Sequence, residues 1–110
     1  RLRPVWEIVQ RDLDKPWTAA DLAALAKISG EHLRRLCQAS AGRSPMQQLT
    51  YLRVQYAANQ LATTEVKIED IALRVGYNNP FAFSNTFKRM TGFRPSQFRR
   101  RRQSARESDP

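Results

Sequence analysis

Residues 68–99, IEDIALRVGYNNPFAFSNTFKRMTGFRPSQFR, carry enough punctuation to decide the fold. Ile68, Ile71, Ala72 and Val75 recur at helical spacing, and Gly76 follows where a helix C-terminus favours a residue tolerant of positive φ. Asn78 and Asn79 offer side-chain oxygens for an N-cap, Pro80 suits the first helical position, and Phe83, Phe87 and Met90 mark an inward stripe. The spacing predicts two helices joined by a corner too short for anything but a sharp change of direction, which is helix-turn-helix geometry. From Pro80 on, the outward face of the second helix carries Phe81, Ser84, Asn85 and Lys88. In a unit of this kind, that face enters the major groove of a DNA duplex.

The same pattern occurs earlier in the chain. Gly42 and Pro45 recur as Gly92 and Pro95, and Leu33 recurs as Phe83, all 50 residues on. Before the corner the offset is 49, with Leu22-Ala23 answered by Ile71-Ala72 and Ile28 by Tyr77, so the second corner holds one extra residue. Thr18 and Asp21 form an acidic variant of the capping box, Trp17 staples that start, and the helix runs through Leu22, Leu25 and Ala26. Ser29 caps the next helix, with Leu33, Leu36 and Cys37 inward until Gly42. Ahead of this unit, Pro4 opens a helix with Val5, Trp6, Val9 and Leu13 on one face, ended by Asp14-Lys15-Pro16. Between the repeats, Ser44 and Pro45 start a long helix on which Met46, Leu49, Leu52, Tyr56 and Leu61 keep helical spacing up to Thr63. About 18 residues at roughly 1.5 Å each span roughly 27 Å. That is close to the roughly 34 Å between successive major-groove entries on one face of B-DNA.

The reading is an all-α chain of about seven helices, built as two homeodomain-like three-helix units joined by a long linker helix. The expected divisions are a first helix-turn-helix subdomain over 1–44, the linker helix over 45–63, a second helix-turn-helix subdomain over 64–102 and a disordered polar tail over 103–110.

The run I-E-D-I-A-x-x-x-G-Y, then F-S-x-x-F-K, then T-G-x-x-P-S-x-F-R resembles the signature of the AraC/XylS family of bacterial transcription regulators. The resemblance implies the C-terminal DNA-binding domain of such a regulator, with a linker helix joining two helix-turn-helix units and double-stranded DNA as partner. It also implies action as an activator beside RNA polymerase. A chain that begins with Arg1 reads as a fragment, and regulators of this kind carry a separate effector-binding or dimerisation domain that these residues do not contain.

Composition agrees with a polyanionic partner. The 110 residues hold 19 Lys and Arg against 10 Asp and Glu, for a net charge of +9, and the isoelectric point is near 10.8. Six arginines and two acids fall in residues 94–110, so residues 1–93 keep thirteen basic and eight acidic residues and remain at +5. The 41% apolar content suits small helical cores. One cysteine, Cys37, excludes an internal disulfide, and with the lone His32 it is too little for a zinc site. No cofactor is expected. A reduced, cytoplasmic and nucleoid-associated setting fits, as no apolar run approaches membrane length and no signal peptide opens the chain.

On the first reader the outward set is Glu31, Arg34, Arg35 and Gln38. Arginine can bond guanine O6 and N7 in a bidentate manner, glutamine can do the same to adenine, and glutamate can accept from a cytosine amino group. The family places the positions matching Glu31, Arg34 and Arg35 on its recognition helix. Arg34 and Arg35 are the foremost base-reading candidates, the alternative for either one being a solvated or phosphate-bound arginine. His32 reads as packing or phosphate binding ahead of acid–base chemistry. Gly30 either leaves room for a phosphate at the helix N-terminus or serves a tight turn. The second reader offers no arginine on its face, whereas family members often have one at the position of Asn85. Asn85 instead suits adenine, and Phe81 either touches a thymine methyl or is buried against another subdomain or chain. Phe83, Phe87, Phe93 and Phe98 are spaced as core.

No nucleophile elbow, glycine-rich phosphate loop or paired buried carboxylates occur, so no enzyme is expected. Glu69 and Asp70 complement the dipole of a helix start. Two other functions stay open, a nonspecific RNA- or DNA-packaging protein driven by the arginine tail and a protein-interaction module using Phe81 and the outer face of the linker helix.

Overall fold

The computed structural model describes residues 1–108, and among them seven helices carry the fold. They are α1 (Arg3–Arg11), α2 (Ala19–Ala26), α3 (Gly30–Ala41), α4 (Pro45–Thr63), α5 (Ile68–Arg74), α6 (Pro80–Thr91) and α7 (Pro95–Ser108). The chain divides into two compact units, one covering Arg1–Leu52 and the other starting at Arg53.

Local hydrogen bonds repeat between the two units almost bond for bond. In the first, Lys27 N–H donates to the Ala24 carbonyl at 3.1 Å and Ile28 N–H to the Ala23 carbonyl at 3.2 Å. Forty-nine residues on, Gly76 N–H donates to Leu73 at 3.0 Å and Tyr77 N–H to Ala72 at 2.9 Å. Both corners need a left-handed residue here: Gly76 supplies it at φ +88°, whereas Lys27 adopts φ +57° with a side chain attached. Past the corner, Ser29 Oγ accepts from His32 N–H at 3.1 Å. Its counterpart Asn79 takes the N–H groups of Phe81 and Ala82 on one oxygen, at 2.8 and 3.2 Å. Asn79 alone is the cap, and Asn78 is the extra corner residue. Thr18 and Asp21 form the expected capping box, at 3.1 and 2.9 Å. Those bonds, from the Thr18 backbone first, hold the Asp21 carboxyl below its ordinary value.

The first core gathers Val5, Val9, Leu13, Trp17, Leu22, Leu33, Cys37, Leu49 and Leu52. Pro4 sits at the second helical position of α1, one later than expected, and α1 stops at Arg11, before Asp14. Trp17 Nε1 donates to the Asp12 carbonyl at 2.8 Å, which fixes the turn there and buries Leu13 outside the helix. The second core is aromatic, with Tyr77, Phe83, Phe87 and Phe98 in sequence at centroid distances of 5.6, 5.8 and 5.3 Å. Met90 departs from the expected stripe and is exposed.

Two further expectations change. On α4, Met46 and Tyr56 are exposed, while Val54 and Ala57 are buried in their place. The boundary between units falls inside this helix, so Leu49 and Leu52 serve one core and Val54, Ala57 and Leu61 the other. One apolar stripe cannot describe a helix whose buried face changes along its length. The disordered tail over 103–110 is also corrected, since α7 continues through Ser108, with residues 109 and 110 outside those described. A helix leaves its last carbonyls without internal partners. At the end of α4, Arg99 donates to the carbonyls of Leu61 and Thr64 at 3.2 and 3.1 Å, and Arg106 to that of Ala62 at 2.7 Å. Arginines that read as tail charge therefore cap α4 and bind α7 along its length.

Candidate nucleic-acid interface

α3 and α6 occupy equivalent places in their units, and the outward faces expected from sequence are exposed on both, except that Ser84 on α6 is half-buried. Leu33 and Cys37 turn α3 inward, leaving Glu31, Arg34, Arg35 and Gln38 in solvent. Burial pushes the Cys37 thiol up, which keeps it protonated and inert. Glu31 gathers the two arginines. Its carboxylate receives Arg34 Nη2 at 2.7 Å and Arg34 Nε at 3.2 Å, a bidentate pair, and Arg35 Nη1 lies 3.6 Å from the same carboxylate. The Arg34 hydrogen bond is the main reason the Glu31 carboxyl lies below its usual value, and it raises the Arg34 guanidinium in return. Arg34 thus has one edge of its fork occupied, whereas Arg35 has a single, longer contact.

At the start of α3, the Ser29 cap takes only the third helical N–H, that of the half-buried His32. Gly30 has no positive φ, and a Cβ built on it would meet nothing within 4 Å. The tight-turn reading of Gly30 therefore has no backbone basis, and the helix start is sterically open. The start of α6 differs, because Pro80 has no N–H and Asn79 already takes the next two.

Phe83 and Phe87 turn α6 inward. Phe81 stands 78% exposed, the most of any large apolar side chain among the described residues, and Lys88 is exposed in the last turn. Ser84 and Asn85 are brought together by a residue that the sequence reading missed. Arg94, in the turn before α7, donates through Nη1 to Ser84 Oγ at 2.8 Å and Asn85 Oδ1 at 3.2 Å. The face that lacks an arginine of its own therefore has a guanidinium laid across it. The only sequence signal is the repeat, since Arg94 stands where the first unit has Ser44.

The arginine run beyond α6 is not a free polycation. Arg101 and Arg102 lie over the rings of Phe93 and Phe98 at 4.7 and 5.2 Å, and Arg99 and Arg106 bond carbonyls. Among the described residues no cluster of three or more His, Cys, Asp or Glu side chains could hold a metal ion, and no helix is long and apolar enough to cross a membrane.

A family model described as a helix-turn-helix domain matches residues 22–101. A protein of Streptomyces lividans named as an AraC-like transcription regulator is 37% identical over 92 residues, which is 84% of this chain and 30% of that protein. The lactose operon transcription activator of Staphylococcus xylosus is 32% identical over 93 residues, 84% of this chain and 33% of that one. The chain thus spans about a third of the length of these relatives. Among solved structures, the C-terminal domain of AraT, a response regulator from Geobacillus stearothermophilus, superposes with a TM-score of 0.83 at 33% identity, covering 92% of this chain and 84% of that one. The DNA-binding domain of the global transcriptional factor AdpA, solved with a target DNA, gives 0.88 at 27% identity, covering 97% and 96%.

Proposed function

The chain belongs to the AraC-type family of helix-turn-helix transcription regulators, as a DNA-binding domain, and from that premise we propose that it recognises an asymmetric duplex site by placing α3 and α6 in two successive major grooves. The observation that carries this reading is the pair of equivalent exposed helix faces, each set by the same caps and corner. On α3, Arg35 reads guanine with Gln38 as a further base-edge contact, while Arg34 stays paired with Glu31 beside them. Gly30 and His32 face a phosphate at the helix start. On α6, Phe81 meets a thymine methyl, Ser84 and Asn85 lie along base edges, Lys88 binds phosphate, and Pro80 fixes the helix entry.

The domain carries out no catalysis of its own. It works in the bacterial cytoplasm on the nucleoid, in a longer protein whose remaining part binds an effector or dimerises, and it activates transcription by standing beside RNA polymerase. Support for activation comes from the name of the Staphylococcus xylosus relative.

Selection of duplexes from a random pool, followed by competition with random DNA at fixed salt, tests the reading. A recovered consensus with two separated half-sites is expected. Two engaged readers should also contact roughly six or more phosphates, at about 0.9 per contact in the slope of log affinity against log salt. Binding without preference would favour a packaging role, and a slope near −2 would leave one unit off the DNA.

A further inference from the structure

The two units differ at one position in a way that their repeat makes visible. In the first, Ser44 caps α4 in both directions, its Oγ accepting from Gln47 N–H at 3.2 Å and its own N–H donating to Gln47 Oε1 at 2.9 Å. Fifty residues on, the backbone half of that box is kept, with Arg94 N–H donating to Gln97 Oε1 at 3.0 Å. The side-chain half is given up, because an arginine cannot accept a hydrogen bond. Its side chain instead runs back to α6 and ends on Ser84 and Asn85. Those two residues are the counterparts, at the same offset of 50, of Arg34 and Arg35. The second unit therefore carries a guanidinium at the place where α3 carries its own, imported from the turn before α7.

We infer that Arg94 is a base-reading residue of the second unit, held across α6 by Ser84 and Asn85 and reading guanine. Both acceptors take Nη1, so the edge formed by Nε and Nη2 keeps two parallel donors, the pattern that guanine O6 and N7 accept. Asn85 Oδ1 is engaged by Arg94, so Asn85 acts as a positioning residue in place of the adenine reader that the bare sequence suggests. The inference rests on the DNA-reading function proposed above and assigns one of its specificity determinants.

The test uses the whole chain and the duplex it selects from a random pool, with every single-base variant of that duplex. Arg94→Ser restores the serine of the first unit opposite the retained Gln97, so it should stay folded by thermal unfolding. Arg94→Lys keeps the charge but loses the fork. Both should lower the preference for guanine at one position in one half-site by roughly tenfold to a hundredfold. Asn85→Ala should weaken preference at that same base pair by less. The inference is overturned if both Arg94 variants keep every base preference. It is also overturned if Arg94→Ser weakens all duplexes by one factor that Arg94→Lys restores, which is the signature of a phosphate contact, or if Asn85→Ala acts on a different base pair. A wild-type chain with no preferred duplex would defeat the underlying function and this inference together, whereas intact preference in the variants defeats the inference alone.

Discussion

Arg34 and Arg35 are adjacent, equally charged and similarly exposed, yet the geometry around Glu31 predicts unequal roles. Arg34 has its Nε and Nη2 donors on the two oxygens of Glu31, at 3.2 and 2.7 Å, while Arg35 reaches the carboxylate through one atom at 3.6 Å. To offer that edge to a base, Arg34 must first leave Glu31. Arg35 gives up far less. Arg35→Ala should therefore cost about 1–3 kcal/mol at one guanine position, or roughly 5- to 150-fold in affinity, and leave other positions intact. Arg34→Ala should cost less than roughly fivefold at any single base, with the loss spread over all sequences. Glu31→Gln frees both guanidinium groups, and if one gains a phosphate the salt slope steepens by about 0.9. Between about 0.05 and 0.2 M salt that adds roughly a threefold loss of affinity. The assay is titration of each variant against single-base variants of the selected duplex at several salt concentrations. If Arg34→Ala erases one base preference while Arg35→Ala weakens all duplexes alike, the pairing with Glu31 does not sequester Arg34 and the reasoning is wrong.

Lys27 holds the left-handed corner position at φ +57° that Gly76 holds in the other unit, so Lys27→Gly should stabilise the first unit by about 0.5–1 kcal/mol, read from tryptophan fluorescence, since both Trp6 and Trp17 lie there. Phe87 is fully buried between Phe83 and Phe98, and Phe87→Ala should cost about 3–5 kcal/mol in chemical denaturation followed by circular dichroism; a loss under about 1 kcal/mol would contradict the packing. Asp21 has a folded-state pKa held below its ordinary 3.8, so it contributes stability above that value and loses it as pH falls through the depressed one; the stability gap between wild type and Asp21→Asn should be open at neutral pH and close in acid. A gap unchanged between pH about 7 and about 2 would show that the capping box does not depend on the ionised carboxylate.

The parts of this protein that its sequence determined by itself are those whose partners lie three or four residues apart. Thr18 with Asp21, Ser29 with the N–H of His32, Asn79 with its own first turn, and the glycines at 42, 76 and 92 are local devices. Ser29 is matched by Asn79 and Gly42 by Gly92 at an offset of 50, and Lys27 by Gly76 at 49, whereas the Thr18 box has no counterpart, since Lys67 makes no side-chain cap bond. Seven helices, two corners and the outward faces of α3 and α6 follow from these devices. The sequence could not show what distant segments do to one another. α4 changes its buried face because two cores share it, so Tyr56 and Met46 emerge where a single stripe would bury them. Arg99 and Arg106 look like solvated tail charge until they are seen on carbonyls 38 and 44 residues earlier, where α4 leaves its acceptors unpaired. Arg94 reads as a turn residue in every local sense. Only the packing of α7 behind α6 brings that turn within reach of Ser84 and Asn85, and a contact closed by tertiary folding leaves no periodicity to read in advance.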